Sequence, residues 1–319
     1  MPLVGIAKMA AESPKLEDKS RVSYLELPAR SFIGACSGKR LIFDWTVNPY
    51  RGCEYGCRYC YARYTHEFME LTASDFETRI FAKQWDAGVF RREIRRIAPG
   101  DSVAFGTATD CYQPAERRYG LMRKMLEELP GRAEEWKLLV TTKSDLIGRD
   151  AELLARLART NDVRVNMTVT TLDAGLARKM EPLAPRPALR LEAIRRLAGE
   201  GVTVGVGVSP ILPRITDSEA HLDAIAGAAK AAGARTLWAQ PLFLRDSARE
   251  VFLPWLEREF PELSGKYRGW YGREAYLDAP YGEWLKARID TVRKRHGLGE
   301  RSVAYRPPDW VGAAQMRLF

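Results

Sequence analysis

Short, nearly continuous apolar runs alternate along this chain with segments whose apolar residues recur every three to four positions. The runs Ser102–Gly106, Lys137–Thr141, Val163–Thr170, Val202–Val208 and Thr236–Leu242 have the length and composition of strands buried on both faces. Between them the period turns helical: Arg91–Ile97, Pro114–Leu129, Asp150–Arg159 and Leu189–Leu197, then Ser218–Ala232, stopped by Gly233. Leu153, Leu154 and Leu157 share one helical face, and Gly199 and Gly201 close the fourth helix. The unit repeats roughly every 35 residues, as parallel strands joined by crossover helices do. Upstream, Ser23–Leu27 and Leu41–Val47 are strand-like runs around a loop at Ser37-Gly38. A helical stretch from Tyr61 to Glu70 leads into an alternating strand candidate, Phe76–Phe81. Counting one strand before residue 48, six βα units result. The expected fold is α/β, a partial (β/α)6 TIM-type barrel with N- and C-terminal extensions.

The polar residues that interrupt this pattern fall in one kind of place. Thr107-Ala108-Thr109-Asp110, Thr142-Lys143-Ser144, Thr170-Thr171 and Ser209-Pro210 each follow a strand. Barrel sites gather at the C-terminal ends of the strands, so these loops define one mouth.

The stretch Asn48–Arg63, NPYRGCEYGCRYCYAR, belongs to the same mouth and carries Cys53, Cys57 and Cys60 in a C-x3-C-x2-C spacing. Three thiols in eight residues form a soft donor set, suited to iron–sulfur clusters, zinc or copper(I). A four-iron cluster held by three cysteines keeps one iron open for another ligand. Zinc ordinarily takes four ligands, often as paired units, and no partner pair is present. Five cysteines, three of them clustered, make no even disulfide framework and point to a reducing compartment. Gly52 and Gly56 free the loop backbone to wrap a compact group. Cys36 stands apart and reads as a structural thiol.

C-x3-C-x2-C with an aromatic residue before its last cysteine is similar to the signature of radical S-adenosylmethionine (SAM) enzymes. The longer run, followed by HEF, FETRIFAK, FGTATDCYQPAERRYGL, TTKS and VTTLD, resembles the spore photoproduct lyase-related branch across about residues 40–245. The resemblance implies a barrel of the radical SAM kind and a [4Fe–4S] cluster on Cys53, Cys57 and Cys60, with SAM chelating the open iron. It further implies reductive cleavage of SAM to a 5′-deoxyadenosyl radical, fed by an electron donor such as flavodoxin or ferredoxin. Asp110 would meet SAM polar groups, Lys143 its carboxylate, Thr107 and Thr109 its amino acid moiety, Thr170 its ribose, and Tyr59 would pack near its adenine. In spore photoproduct lyase a cysteine three residues before the aspartate returns hydrogen to the product radical; Thr107 occupies that place here. Cys111, directly after Asp110, is either a substitute donor or a buried small residue. His66 and Glu67 recur in the related branch without an assignable chemistry.

The chain has 319 residues, with 50 Lys and Arg against 41 Asp and Glu, a net charge of +9. That surplus favours polyanionic partners such as DNA, although much of it sits in Arg91–Arg96 and Arg190–Arg196, which read as solvated helix faces. Residues 246–319 bring Trp255, Trp270, Tyr271, Tyr276, Tyr281, Trp284, Tyr305 and Trp310 among basic residues. This is the composition of a base-stacking surface or of a lid packed on the barrel. The terminal Gln315, Met316, Leu318 and Phe319 resemble the peptide by which repair proteins bind the sliding clamp. No apolar run approaches the ~20 residues of a membrane span, and no secretory signal is visible, so a cytoplasmic protein is expected. The expected division is an extension at 1–40, whose first 20 residues read as a mobile tail, the barrel at 41–245 and the aromatic, basic extension at 246–319. The function expected is hydrogen abstraction from a substrate, nucleic acid first, as in lesion repair or modification. The alternatives are radical modification of a protein, peptide or small molecule, and a zinc-stabilised nucleic-acid adaptor without catalysis.

Overall fold

The computed structural model describes residues 3–19, 21–36, 43–130 and 135–300. Its strands are β1 (Lys15–Lys19), β2 (Val22–Leu27), β3 (Ile33–Ala35), β4 (Trp45–Val47), β5 (Tyr50–Arg51), β6 (Arg79–Lys83), β7 (Ser102–Phe105), β8 (Lys137–Thr142), β9 (Asp162–Thr168), β10 (Thr203–Ile211) and β11 (Thr236–Pro241). The large sheet runs β11-β10-β9-β8-β7-β4-β3, and its first six strands are parallel. β3 adds antiparallel to the edge at β4. The six units expected from the sequence are therefore present, in a sheet with two ends rather than a closed ring.

Strand alternation sorts the two faces of this sheet. Val103, Phe105, Val140, Val163, Val165, Val204 and Val206 are buried in the main core with the outer helices. Helix Ala151–Ala158 covers that face with Leu153, Leu154 and Leu157, each contributing about 1.5–3 kcal/mol by burial. The residues between them, Thr46, Ala104, Thr141, Asn166, Gly205 and Gly207, lie on the inner face. Register sets Thr141 opposite Asn166 and Asn166 opposite Gly205. These inner positions are small or polar, and at Gly207 the lack of a side chain admits the Trp238 ring, from which a Cβ would lie 2.8 Å.

Several local expectations are corrected. The helix expected over Pro114–Leu129 breaks at Gly120, whose φ of +61° ends Pro114–Tyr119 and begins Leu121–Glu127. The helix over 61–70 shrinks to a 3-10 turn, Tyr61–Arg63, and one α turn, Tyr64–Glu67. The strand candidate at 76–81 is displaced to Arg79–Lys83, after a 3-10 turn at Ala73–Glu77. It belongs to a second sheet, β1-β2-β6-β5, rather than to the barrel.

The first twenty residues contain a helix, Gly5–Ala11, and the edge strand β1. No period betrays β1 because both its faces are largely exposed; pairing with β2 supplies its order. Arg190, expected on a solvated face, is 1 % exposed.

Three helices follow the barrel: Asp246–Glu259, Pro261–Tyr271 and Ala279–His296. Phe252, Trp255, Leu256, Tyr267 and Tyr271 form one core with Cys53, Tyr55, Cys57, Tyr59, Met180 and Leu242. This part of the aromatic extension packs against the cysteine loop. Tyr276 and Trp284 remain exposed. Ser37-Gly38, Tyr305, Trp310 and the clamp-like Gln315, Met316, Leu318 and Phe319 lie outside the described residues. Among the described residues no helix is long and apolar enough to cross a membrane.

Candidate metal and cofactor site at the barrel mouth

The cysteine loop leaves β5 through Gly52, and only glycine serves there. Its φ is +81°, and a Cβ would lie 2.8 Å from Phe76 O and 2.9 Å from Arg79 O. The Cys53 N–H donates to Phe76 O (2.9 Å), Arg58 N–H to Met180 O (2.9 Å) and Cys60 N–H to Cys57 O (3.2 Å). Two side chains the sequence reading left without a role hold this loop. Gln113 donates to Gly52 O and to Thr109 Oγ1, both at 2.9 Å, and accepts from Glu54 N–H at 2.9 Å. Arg63, fully buried, donates to Cys57 O (3.0 Å) and Ala73 O (2.7 Å) and pairs with Glu77.

Cys53 and Cys57 are buried and Cys60 is half-buried. Burial pushes the Cys57 thiol up to about 12, against the pull of Lys143 and with the push of Glu181. Metal binding must displace these protons. Among the described residues no three His, Cys, Asp or Glu side chains are arranged to hold a single metal ion. Three soft thiol donors in one loop suit an iron–sulfur cluster that keeps one iron open.

Beside the thiols lies a charged knot. Glu181, 1 % exposed, accepts from Tyr59 O–H, from Thr170 Oγ1–H at 2.9 Å and from the Arg190 guanidinium. Arg190 also donates to Thr168 O (3.1 Å) and Pro185 O (2.8 Å). Burial works against the Glu181 carboxylate, but Arg190 and Lys143 outweigh it and hold its pKa below the usual range. The Lys143 ammonium lies 5.7 Å from the Tyr59 ring centroid. Burial disfavours that ammonium, yet Cys57 and Glu181 outweigh it and raise its pKa. Lys143 stays a cation at the mouth.

The remaining candidates are placed as follows. Asp110 accepts from Thr142 Oγ1–H (2.6 Å), Lys143 N–H (2.7 Å) and Tyr112 N–H (3.0 Å), so it fixes the backbone that carries Lys143. Its pKa is raised, by burial. Thr107 Oγ1 lies 2.5 Å from Thr46 Oγ1 and accepts from Asn48 Nδ2 at 3.0 Å. Thr109 donates to Gly52 O (2.5 Å). Asn48 also accepts from Ala108 N–H (2.8 Å) and so ties two mouth loops together. Cys111 is wholly buried in the main core, and burial followed by Asp110 pushes its thiol well above the ordinary value. It packs as a small core residue.

The mouth also offers polar groups suited to a polar ligand such as SAM. Asn166 on the inner face has a buried amide Nδ2 with no partner. Lys143 offers a cation, and Gly106 lets the loop pack closely on β8, since its Cβ would lie 2.7 Å from Thr141 O.

Comparison with known proteins agrees with this geometry. Residues 47–225 match the model of the radical SAM superfamily. The chain belongs to the radical SAM superfamily. Enzymes of this family use a [4Fe–4S] cluster and SAM. An uncharacterised protein of Mycobacterium tuberculosis is 41% identical to this radical SAM chain over 276 residues, 86% of the chain and 80% of the relative. An uncharacterised protein of Methanocaldococcus jannaschii is 28% identical over 223 residues, 68% and 77% of the two chains. Among solved structures, spore photoproduct lyase with bound AdoMet and dinucleoside spore photoproduct aligns at TM-score 0.63 and 18% identity, covering 86% of this chain and 79% of that one. SuiB of Streptococcus suis, bound to its precursor peptide SuiA, aligns at TM-score 0.51 and 13% identity, covering 80% and 47%. At these identities the likeness is one of fold.

Proposed function

We propose that this radical SAM enzyme abstracts hydrogen from nucleic acid, as a repair or modification enzyme of the spore photoproduct lyase kind. The observation that carries the catalytic part is the meeting of the three-thiol loop with Lys143 and Glu181 in one enclosed mouth. The nucleic-acid part is supported by the motif resemblance along residues 40–245 and by the net charge of +9.

In this reading Cys53, Cys57 and Cys60 hold the cluster. Bound and reduced, the cluster with SAM supplies a 5′-deoxyadenosyl radical. Lys143 pairs with the SAM carboxylate as a point cation, and Asp110 positions Lys143 through its backbone. Thr107 and Thr109 shape the loop beside the amino acid moiety. Thr170 and Tyr59, both held by Glu181, form the ribose and adenine side. Cys111, wholly buried in the main core, is given no catalytic part. A flavodoxin- or ferredoxin-type donor would supply the electron in the cytosol, and the terminal peptide would recruit the sliding clamp.

The test is anaerobic. The protein is reconstituted with iron and sulfide, reduced, given SAM, and assayed for 5′-deoxyadenosine with and without DNA, ultraviolet-damaged DNA included. Formation that rises with DNA is the expected result. Formation indifferent to every DNA offered would move the substrate to a peptide, protein or small molecule. Absence of both cluster and product would overturn the radical SAM assignment of the loop.

A further inference from the structure

The mouth has a second feature that neither the thiol loop nor the charged knot uses. Tyr61, directly after Cys60, is 44 % exposed, Phe68 is 58 % exposed and Tyr276 is 52 % exposed. In a soluble protein an exposed group of large aromatic rings marks an interaction site more often than chance placement.

These rings form one strip. Phe243, two residues past the end of β11, stacks on Tyr276 with centroids 4.5 Å apart and planes 27° from parallel. Phe243 also lies 6.5 Å from Tyr61, with planes 53° apart. The short segment Phe243-Leu244-Arg245 then carries the strip onward, because the Arg245 guanidinium carbon sits 4.8 Å from the Tyr64 ring centroid. Tyr64 meets Phe68 edge-on at 5.6 Å. The arrangement is fixed by backbone: Leu244 N–H donates to Ala275 O (2.9 Å), which sets Tyr276 over Phe243, and Tyr61 O–H donates to Thr107 O at the mouth.

We infer that this strip is a stacking platform for an unpaired stretch of nucleic acid, leading its bases to the cysteine loop. This rests on the nucleic-acid reading above and names the form of the substrate. A stacked ring pair with its outer face open invites another planar group, and every base offers one regardless of sequence. A guanidinium lying on a ring adds a cation where backbone phosphates would run. A duplex keeps its bases inside its own stack and cannot use such rings, so the strip selects single strands or extruded nucleotides.

The experiment measures binding of an end-labelled single-stranded DNA of roughly ten nucleotides, and of the matching duplex, to the reconstituted full-length protein by fluorescence anisotropy. Wild type is compared with Tyr276→Ala, Tyr276→Phe, Phe68→Ala and Arg245→Gln, all at exposed positions, with melting temperatures as the folding control. The wild type should prefer the single strand. Tyr276→Ala and Phe68→Ala should each weaken single-strand binding about 5- to 100-fold, while Tyr276→Phe should retain it. Arg245→Gln should weaken binding and lower the salt slope by about one. Alanine variants with unchanged single-strand affinity, equal losses for duplex and single strand, or a preference for a peptide over single-stranded DNA would each overturn the platform. The 5′-deoxyadenosine assay separates the two levels. DNA-stimulated formation that survives in all four variants sinks the strip alone; a wild type that DNA does not stimulate sinks the nucleic-acid reading beneath it.

Discussion

The cysteine loop and the knot around Glu181 touch each other at the same mouth, yet they are built in opposite ways. The loop's chemistry is contiguous: three thiols, two glycines and their aromatic neighbours fall within residues 52–61. The knot is assembled from Tyr59, Lys143, Thr170, Glu181 and Arg190, which five separate segments deliver. The difference teaches that ligand identity can be local while electrostatic tuning is a property of the fold. A thiol needs only a metal within reach, whereas a buried carboxylate needs partners that repay its desolvation.

The largest effect should come from the local side. Cys57→Ala should bring iron loading and 5′-deoxyadenosine formation to background, while the metal-free protein loses only about 1 kcal/mol in denaturant unfolding. Retained SAM cleavage would break the assignment of the loop. On the dispersed side, Glu181→Ala leaves the Arg190 guanidinium buried without its counter-charge and should cost about 3–5 kcal/mol. The double variant Glu181→Leu with Arg190→Met should recover most of that loss by the same measurement. If it does not, the knot acts through hydrogen bonds to Tyr59 and Thr170 rather than through charge.

His66 sharpens the comparison with pH. It is 0 % exposed between Phe76 and Phe81, and burial lowers its pKa from 6.5 to about 4 despite the bond to Arg79 O. Its folded pKa lies below its unfolded one, so its stabilising contribution is complete above pH 6.5 and drains away as pH falls towards 4. The whole contribution is about 3 kcal/mol, at about 1.4 kcal/mol per pH unit. His66→Phe should flatten the stability profile in that window. An unchanged slope between pH 6.5 and 4 would show that the ring is protonated in the fold. Gly52→Ala should cost at least about 1–2 kcal/mol, the penalty of a left-handed backbone, and it should also reduce iron loading because the loop must shift away from Phe76 O.

Much of the fold was legible. Runs such as Val202–Val208 are apolar because the sheet is covered outside by helices, and they mark their strands without ambiguity. Other features were hidden for physical reasons. β1 carries no pattern because neither of its faces is buried, and the alternation at Phe76–Phe81 marks a strand without showing that β6 pairs with β2 and β5. Arg190 looked like any arginine on a basic helix. Only the packing of helix Pro187–Gly199 against β9 and the turn at Glu181 makes it a counter-ion. Gln113 and Asn48 stood inside recognisable motifs, but their roles as ties between loops depend on neighbours about sixty residues away in the chain. Of the aromatic residues after 245, composition alone could not separate Trp255, Tyr267 and Tyr271, which pack behind the cysteine loop, from Tyr276, which faces solvent.

The sequence by itself determined the donor set, the parallel α/β plan and the placement of polar loops after strands, because each is written in nearest neighbours and short periods. The tertiary structure decided which charges are buried together, which aromatics are core and which are surface, and how Cys111 is enclosed. Those outcomes turn on desolvation and on contacts between segments far apart in the chain, and no local pattern encodes them.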